Sequence, residues 1–338
     1  MITDKAGTRQ LIDLTVNGIA LRGTYHAPPA TAHDESRQPG ETIAVLFMNS
    51  LSSPRSLIGD SAVYWAQAFA AAGYPCYRVD LPGLGDSDGD RPNDLLKFTN
   101  EGGYANAAAA VVRQLVQSRG LTGVVIFGHC AGATTALYAA SLAKECKGLI
   151  LMDPYFNLPK ALTSSLRPEL VNWARGSKIG GLLRATYDRL RELPRAIGKG
   201  SLPPNANFAL IARCKRALAS GLPVLILKAP QPKVAGGHAL KAGAFDYLEY
   251  ILALATRSGQ FTVNTIAETD HSFSNHAGRL AVGQCAQLWL DRNFSLVEPT
   301  VSPLETQSRP AQELNPAVFS AAVSAKVLSG GVSGYGNQ

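Results

Sequence analysis

The chain has 338 residues, of which 46% are hydrophobic and 17% charged, enough apolar side chain for a large buried core and too much for a disordered chain. No run of 18 or more apolar residues occurs, and the first ten residues, MITDKAGTRQ, lack an apolar leader segment, which predicts a soluble, cytoplasmic protein. The formal charge of +7 is concentrated: residues 160–216 carry twelve Lys or Arg against three acids, without the interleaved aromatics or binding motif that nucleic-acid recognition requires.

Residues 10–27 alternate apolar and polar around Asn17-Gly18, the pattern of an edge β-hairpin. Residues 28–41, rich in Pro, Ala and Asp, predict a surface loop. A buried strand, 43–48, then runs into Asn49-Ser50-Leu51, followed by a helix over 58–72 that stops at Gly73. A strand over 75–80 leads to the glycine-rich turn LPGLGDSDGD, and a second helix covers 104–118. Strand 123–127 enters GHCAGA, a third helix covers 133–143, and strand 148–152 ends at Asp153-Pro154.

Residues 154–220 interrupt this alternation with a basic, proline-punctuated stretch of helical pattern, the length of a cap inserted after the sixth strand. Strand 223–228, helix 244–255, strand 261–267 and helix 277–293 resume the alternation. The expected organisation is a core of 1–153 and 221–297, a helical cap of 154–220 and a Pro/Ser/Gly-rich tail of 298–338. Strands and helices in this order predict a mostly parallel, eight-stranded sheet flanked by helices.

The five cysteines (76, 130, 146, 214 and 285) are scattered and show no CxxC spacing, so neither zinc nor a disulfide framework is indicated. For four of them the reading is a small buried hydrophobe. Cys130 stands apart. It occupies the centre of Gly128-His129-Cys130-Ala131-Gly132, between a buried strand and a helix. A strained strand-to-helix turn of this kind lifts a nucleophile above the sheet, and the flanking small residues let the backbones pack. A thiol there also faces the positive end of the helix dipole, a setting that favours thiolate. The amide of Ala131 would form half of an oxyanion hole.

The chain resembles the α/β hydrolases, and within them the serine-aminopeptidase-like group and the small hydrolases associated with bacterial exosortase systems, some of which carry Cys at the elbow. The resemblance rests on AAGYPCYRVDLPGLGDSDG, FGHCAGA, GLILMDPY and ETDHSF with its following helix. It implies an α/β-hydrolase fold and makes His271, in Asp270-His271-Ser272-Phe273, the general base. Imidazole suits that task because its pKa lies near working pH. His129 is expected under the elbow and His276 on a helix surface.

The third member of the site stays open. The strand over 223–228 is followed by no carboxylate until Asp246, while Asp153 ends the preceding strand, where some family members carry the acid. Asp153 is the first candidate and Asp246 the alternative; a Cys–His pair without a third member also works. The second oxyanion donor is expected at the amide of Leu51, with Asn49 orienting its loop, in place of the His-Gly that relatives carry.

No P-loop, dinucleotide fingerprint or metal-ligand spacing occurs, so no cofactor and no metal is expected. Cysteine at a serine-type elbow points to acyl-thioester hydrolysis or acyl transfer, because exchange between thioesters is nearly isoenergetic. The basic stretch, with Arg175, Lys178, Arg184, Arg189, Arg191 and Arg195, would steer an acyl group presented on coenzyme A or an acyl carrier protein, both anionic. The alternatives are a carboxylesterase or lactonase acting on oxygen esters, and a non-catalytic member of the fold that binds a ligand or partner.

Overall fold

The computed structural model describes residues 8–29, 42–158, 205–230, 247 and 261–294. Strands β1 (Arg9–Val16) and β2 (Ile19–His26) form the expected hairpin, with Asn17 and Gly18 at φ 52 and 79 in a two-residue turn. Positive φ at both positions matches the right-handed twist of the paired strands, and Asn-Gly supplies it at low cost.

β3 (Ile43–Met48), β4 (Cys76–Val79), β5 (Gly123–His129), β6 (Cys146–Met152), β7 (Val224–Lys228) and β8 (Phe261–Thr265) complete one eight-stranded sheet. Its order is β1-β2-β4-β3-β5-β6-β7-β8. The hairpin runs antiparallel against β4, and the strands from β4 to β8 are mutually parallel.

Because both faces are covered, the central strands are apolar throughout and their residues divide alternately between two cores. Leu46, Ile126, Leu149 and Ile226 point to one side, against α3 (Ala105–Arg119), α4 (Ala131–Ala140) and α5 (Phe208–Ala219). Val45, Phe47, Phe127, Ile150 and Leu225 point to the other, against α1 (Ser61–Ala71) and α6 (His276–Asn293). Helix α4 is buried from Ala131 to Ala139, which explains why its sequence shows no polar face.

Three differences from the sequence reading have local causes. A short helix α2 (Leu95–Asn100), with the Asp94 side chain accepting from the Lys97 amide, was not anticipated; six residues are too few to show a period. β5 runs to His129 and α4 starts at Ala131, so the elbow has no slack between strand and helix. Helix α5 lies within the stretch expected as cap, yet Leu210, Ile211, Cys214 and Leu218 are buried in the core beside α4. The expected cap residues 159–204, the tail 298–338, the loop 30–41 and all but Tyr247 of the helix expected at 244–255 lie outside the described residues.

The strand order reverses between β3 and β5, which are paired in register up to Met48 and Gly128. Chains leaving these strands turn to opposite sides, opening a crevice at their carboxyl ends, where open α/β sheets place ligands. Among the described residues no helix is long and apolar enough to cross a membrane.

Phe127 is fully buried, with its ring 4.8 Å from Phe47, 5.3 Å from Trp65 and 6.2 Å from Phe69. Phe127→Ala is expected to lower unfolding free energy by about 3–5 kcal/mol with an unchanged denaturant slope, measured by urea titration. A loss below ~1 kcal/mol would contradict this packing.

Candidate active site

Cys130 links β5 to α4 with φ 54 and ψ −114, a conformation that a non-glycine residue rarely adopts. Its amide donates to the Met152 carbonyl at 2.9 Å, and its carbonyl accepts from Ala133 and Thr134 at 3.1 and 3.3 Å. The flanking glycines explain how this turn is possible. A Cβ on Gly128 would lie 2.4 Å from the Gly132 carbonyl oxygen, and one on Gly132 would lie 2.7 Å from that of Asn49. The first turn of α4 therefore rests against both β5 and the loop after β3.

His129 pairs with Met152 across β5 and β6, so the nucleophile candidate and Asp153 leave adjacent strands side by side. Asp153 takes φ 42, donates its amide to Leu227 and accepts from the Ala229 amide through Oδ1 at 2.9 Å. Its other carboxylate oxygen, Oδ2, lies 3.0 Å from His271 Nδ1. The Asp153 carboxylate is thus fixed by β7 and aimed at the histidine.

His271 sits on the loop between β8 and α6, which is held at both ends. Phe273, fully buried with φ 50, anchors the loop in the core. The Asp270 carboxylate accepts from the Ser272 amide at 2.9 Å and from its hydroxyl, closing a tight turn. The side chains of Asp270 and Phe273 thereby do structural work in the Asp-His-Ser-Phe element. The Cys130 side chain also acts on His271, favouring its charged form, and with Nδ1 committed to Asp153 the ring nitrogen left for the thiol is Nε2.

On the other side of the elbow, the Ser53 amide donates to Ser50, closing a turn in which Leu51 takes φ 48. The amide of Ala131 belongs to the first turn of α4, where helix geometry offers no intrahelical acceptor. Asp246 lies outside the described residues, as do the basic residues Arg175, Lys178, Arg184, Arg189, Arg191 and Arg195. Among the described residues no group of three or more His, Cys, Asp or Glu is arranged to hold a metal ion.

A family model described as alpha/beta hydrolase fold matches residues 56–293, the greater part of the chain. The chain belongs to that family. No curated protein matches it. Among solved structures, DcsB in complex with a substrate analogue is 15% identical, with 85% of this chain and 100% of that one covered at a TM-score of 0.54. An esterase of Pyrococcus furiosus, Pf2001, is 12% identical over 85% of this chain and 92% of its own, also at 0.54. Est1E of Butyrivibrio proteoclasticus, with ferulic acid bound, is 16% identical over 84% and 99%, at 0.50. At these identities the likeness is one of fold.

Several residues of this α/β hydrolase escaped the sequence reading. Tyr155, about half exposed, sets its ring edge-on to His271 at 5.3 Å. Burial first, then the charges of Cys130 and Asp153, raise its pKa. Its position two residues after Asp153 was the available signal. Asp80 and Arg55 were also missed; they form a buried network with Asn49 beneath the loop that carries Leu51.

The two histidines beside Cys130 are tuned in opposite directions. His271 is raised to about 10, by its hydrogen bond to Asp153 first and by the Cys130 side chain second, against a smaller desolvation effect. His129 is lowered to about 4 by burial, so it is neutral, and its Nε2–H donates to the His271 carbonyl at 2.7 Å. His276 is exposed at the start of α6.

The linkage signs follow from these directions. A raised histidine pKa adds stability that is complete below the unfolded value near 6.5 and fades as pH rises through about 10. A lowered one works oppositely: the unfolded state binds the extra proton, so His129 makes stability fall as pH drops from about 6.5 through about 4. Histidine side-chain NMR is expected to show His271 protonated across neutral pH and His129 neutral. Asp153→Asn should bring the His271 transition down towards the ordinary value. A His271 transition near 6.5 in the wild type, indifferent to Asp153→Asn, would show the coupling to be absent.

Proposed function

We propose that this protein transfers acyl groups from thioesters through an acyl-cysteine on Cys130, with His271 moving the proton and Asp153 orienting it. The observation that carries the reading is the pairing of His271 with Asp153, at a 3.0 Å Nδ1–Oδ2 distance, beside the strained turn of Cys130. A non-catalytic member of the fold has no use for a strained nucleophile turn beside a histidine paired with a half-buried carboxylate.

In this mechanism Cys130 Sγ attacks the thioester carbonyl carbon, and the negative charge gathers on its oxygen, accepted by the amides of Ala131 and Leu51. The proton of the thiol resides on His271, whose raised pKa suits it to hold that proton until it is needed. Collapse of the tetrahedral species breaks the bond to the carrier sulfur, which leaves as a thiol with that proton. Water, an alcohol or an amine then attacks the acyl-cysteine, gives its proton to His271 and releases the acyl product, and Cys130 is regenerated. Coenzyme A or an acyl carrier protein is the proposed donor, chosen for the thiol chemistry and for the positive charge of residues 160–216.

A second reading, hydrolysis of oxygen esters, uses the same residues. It is favoured by the fold likeness to the Pyrococcus furiosus esterase. The two differ in leaving group: an alkoxide is a poorer one than a thiolate, so an acyl-cysteine forms less readily from an ester than from a thioester.

Intact-protein mass spectrometry after exposure to short acyl thioesters tests the proposal. An adduct mapped to Cys130 is expected in the wild type and none there in Cys130→Ala. His271→Ala should slow adduct formation by about 10²–10⁴-fold. Added amine or alcohol that shortens the adduct's lifetime would identify a transferase, and indifference to both a hydrolase. Faster turnover of oxygen esters than of matched thioesters would select the esterase reading. Labelling that persists at another residue in Cys130→Ala, with activity retained, would remove Cys130 from the mechanism.

A further inference from the structure

Asp80 follows β4 and is fully buried, yet no step of the mechanism uses it. Its carboxylate gathers donors almost entirely from one loop, residues 49–55. Oδ1 accepts from Asn49 Nδ2 at 2.8 Å and from the Arg55 amide at 2.7 Å. Oδ2 accepts from the Arg55 guanidinium and, at 3.2 Å, from the Asp86 amide. Asn49 in turn accepts from the Leu81 amide at 2.9 Å and donates to the Ser53 carbonyl at 3.1 Å. The two ends of the loop are therefore tied to one carboxylate, and Leu51, at φ 48, lies between them.

The carboxylate itself has little room. A Cβ on Gly85, which takes φ +53, would come within 2.3 Å of it. Arg55 is held from two further sides, by Thr24 Oγ1 at 3.2 Å and by the exposed Asp86 carboxylate at 2.7 Å. A buried charge without its partner is costly, so the loop has strong reason to stay where it can supply three N–H donors, one of them cationic. A loop that instead rested only on Leu51 packing would have no comparable restraint on the direction of its amides.

We propose that Asp80 is a positioning residue for the oxyanion hole: it sets the direction of the Leu51 amide through Asn49 and Arg55, without touching substrate. The proposal rests on the acyl-cysteine reading above, in which Leu51 supplies one oxyanion donor. It also gives a use to the glycine-rich turn after β4, whose Gly85 makes room for the carboxylate and whose Asp86 holds the far side of Arg55.

The test separates two reactions of the same thiol. Acylation by a thioester develops an oxyanion, whereas alkylation by iodoacetamide displaces iodide and needs no oxyanion hole. Asp80→Asn keeps the size but replaces an acceptor with an amide that faces N–H donors. Its acylation rate and kcat are expected to fall about 10–100-fold with KM little changed, less than the ~10²–10³-fold that follows outright removal of an oxyanion donor. Alkylation of Cys130 should stay within about 2-fold of wild type, since only the loop has moved. Gly85→Ala, which crowds the same carboxylate from the opposite side, should show the same split. If Asp80→Asn does not fold, Arg55→Ala, which leaves the Asn49 and backbone bonds in place, is expected to show a weaker version of it.

Folded variants with wild-type acylation would overturn the proposal. So would a parallel fall in acylation and alkylation, which would place the effect on the nucleophile. Absence of any Cys130 adduct in the wild type would instead defeat the acyl-cysteine reading, and this proposal with it.

Discussion

The close approach of Gly128 to Gly132 governs the rest of the site. With a Cβ at either position, β5 and α4 could not meet as they do, and Cys130 would lose the geometry that holds it at φ 54. That backbone state is unfavourable for a cysteine taken alone, and it persists because strand, helix and the Asn49 carbonyl leave no other arrangement. Burial of α4 along its whole length supplies the compensation, since the helix cannot retreat from the sheet without exposing apolar surface on every side.

The sheet's topology then decides which residues can join Cys130. β5 has β3 on one side and β6 on the other, so the loops after those two strands flank the elbow. One brings Asn49 to Leu51 and the other brings Asp153. Only His271 arrives from a distant strand, and its loop is accordingly the most heavily secured, by Phe273 in the core, by the Asp270 turn and by His129 beneath it. The neutrality of His129 matters here. A charged ring in that buried place would oppose the charge on His271, whereas the neutral one donates a hydrogen bond and adds no repulsion.

The strands, the hairpin turn and the elbow were legible in the sequence because each leaves a local signature. Asn17-Gly18 announces its turn, doubly buried strands read as apolar runs, and Gly128-His129-Cys130-Ala131-Gly132 announces a strained junction. Asp153 could be nominated from its place at a strand end but not separated from Asp246, because sequence does not show which carboxylate a histidine will face. The helix over Phe208–Ala219 was assigned to an insertion because residues 154–220 are basic and interrupted by proline. Its own pattern of Leu210, Ile211, Cys214 and Leu218 is that of a helix with one buried face, and only the packing shows the sheet as its partner. Asp80 and Arg55 were invisible for a related reason. A buried ion pair between residues 25 positions apart has no periodicity and becomes recognisable only when β3 and β4 are placed side by side.

The position of Asp153 after β6 is set by the end of β7. Its Oδ1 accepts from the Ala229 amide just beyond β7, so the end of β7 contributes a hydrogen-bond donor to it. That bond fixes the rotation of the Asp153 side chain and turns Oδ2 towards His271. Asp153 itself takes an unusual φ of 42 at this point. The Asp153 carboxylate stays within 3.0 Å of the imidazole because the backbone beyond the neighbouring strand receives its other oxygen. A histidine so held needs only a partner that shares one proton with it, and a thiol meets that requirement with less assistance than a hydroxyl would need.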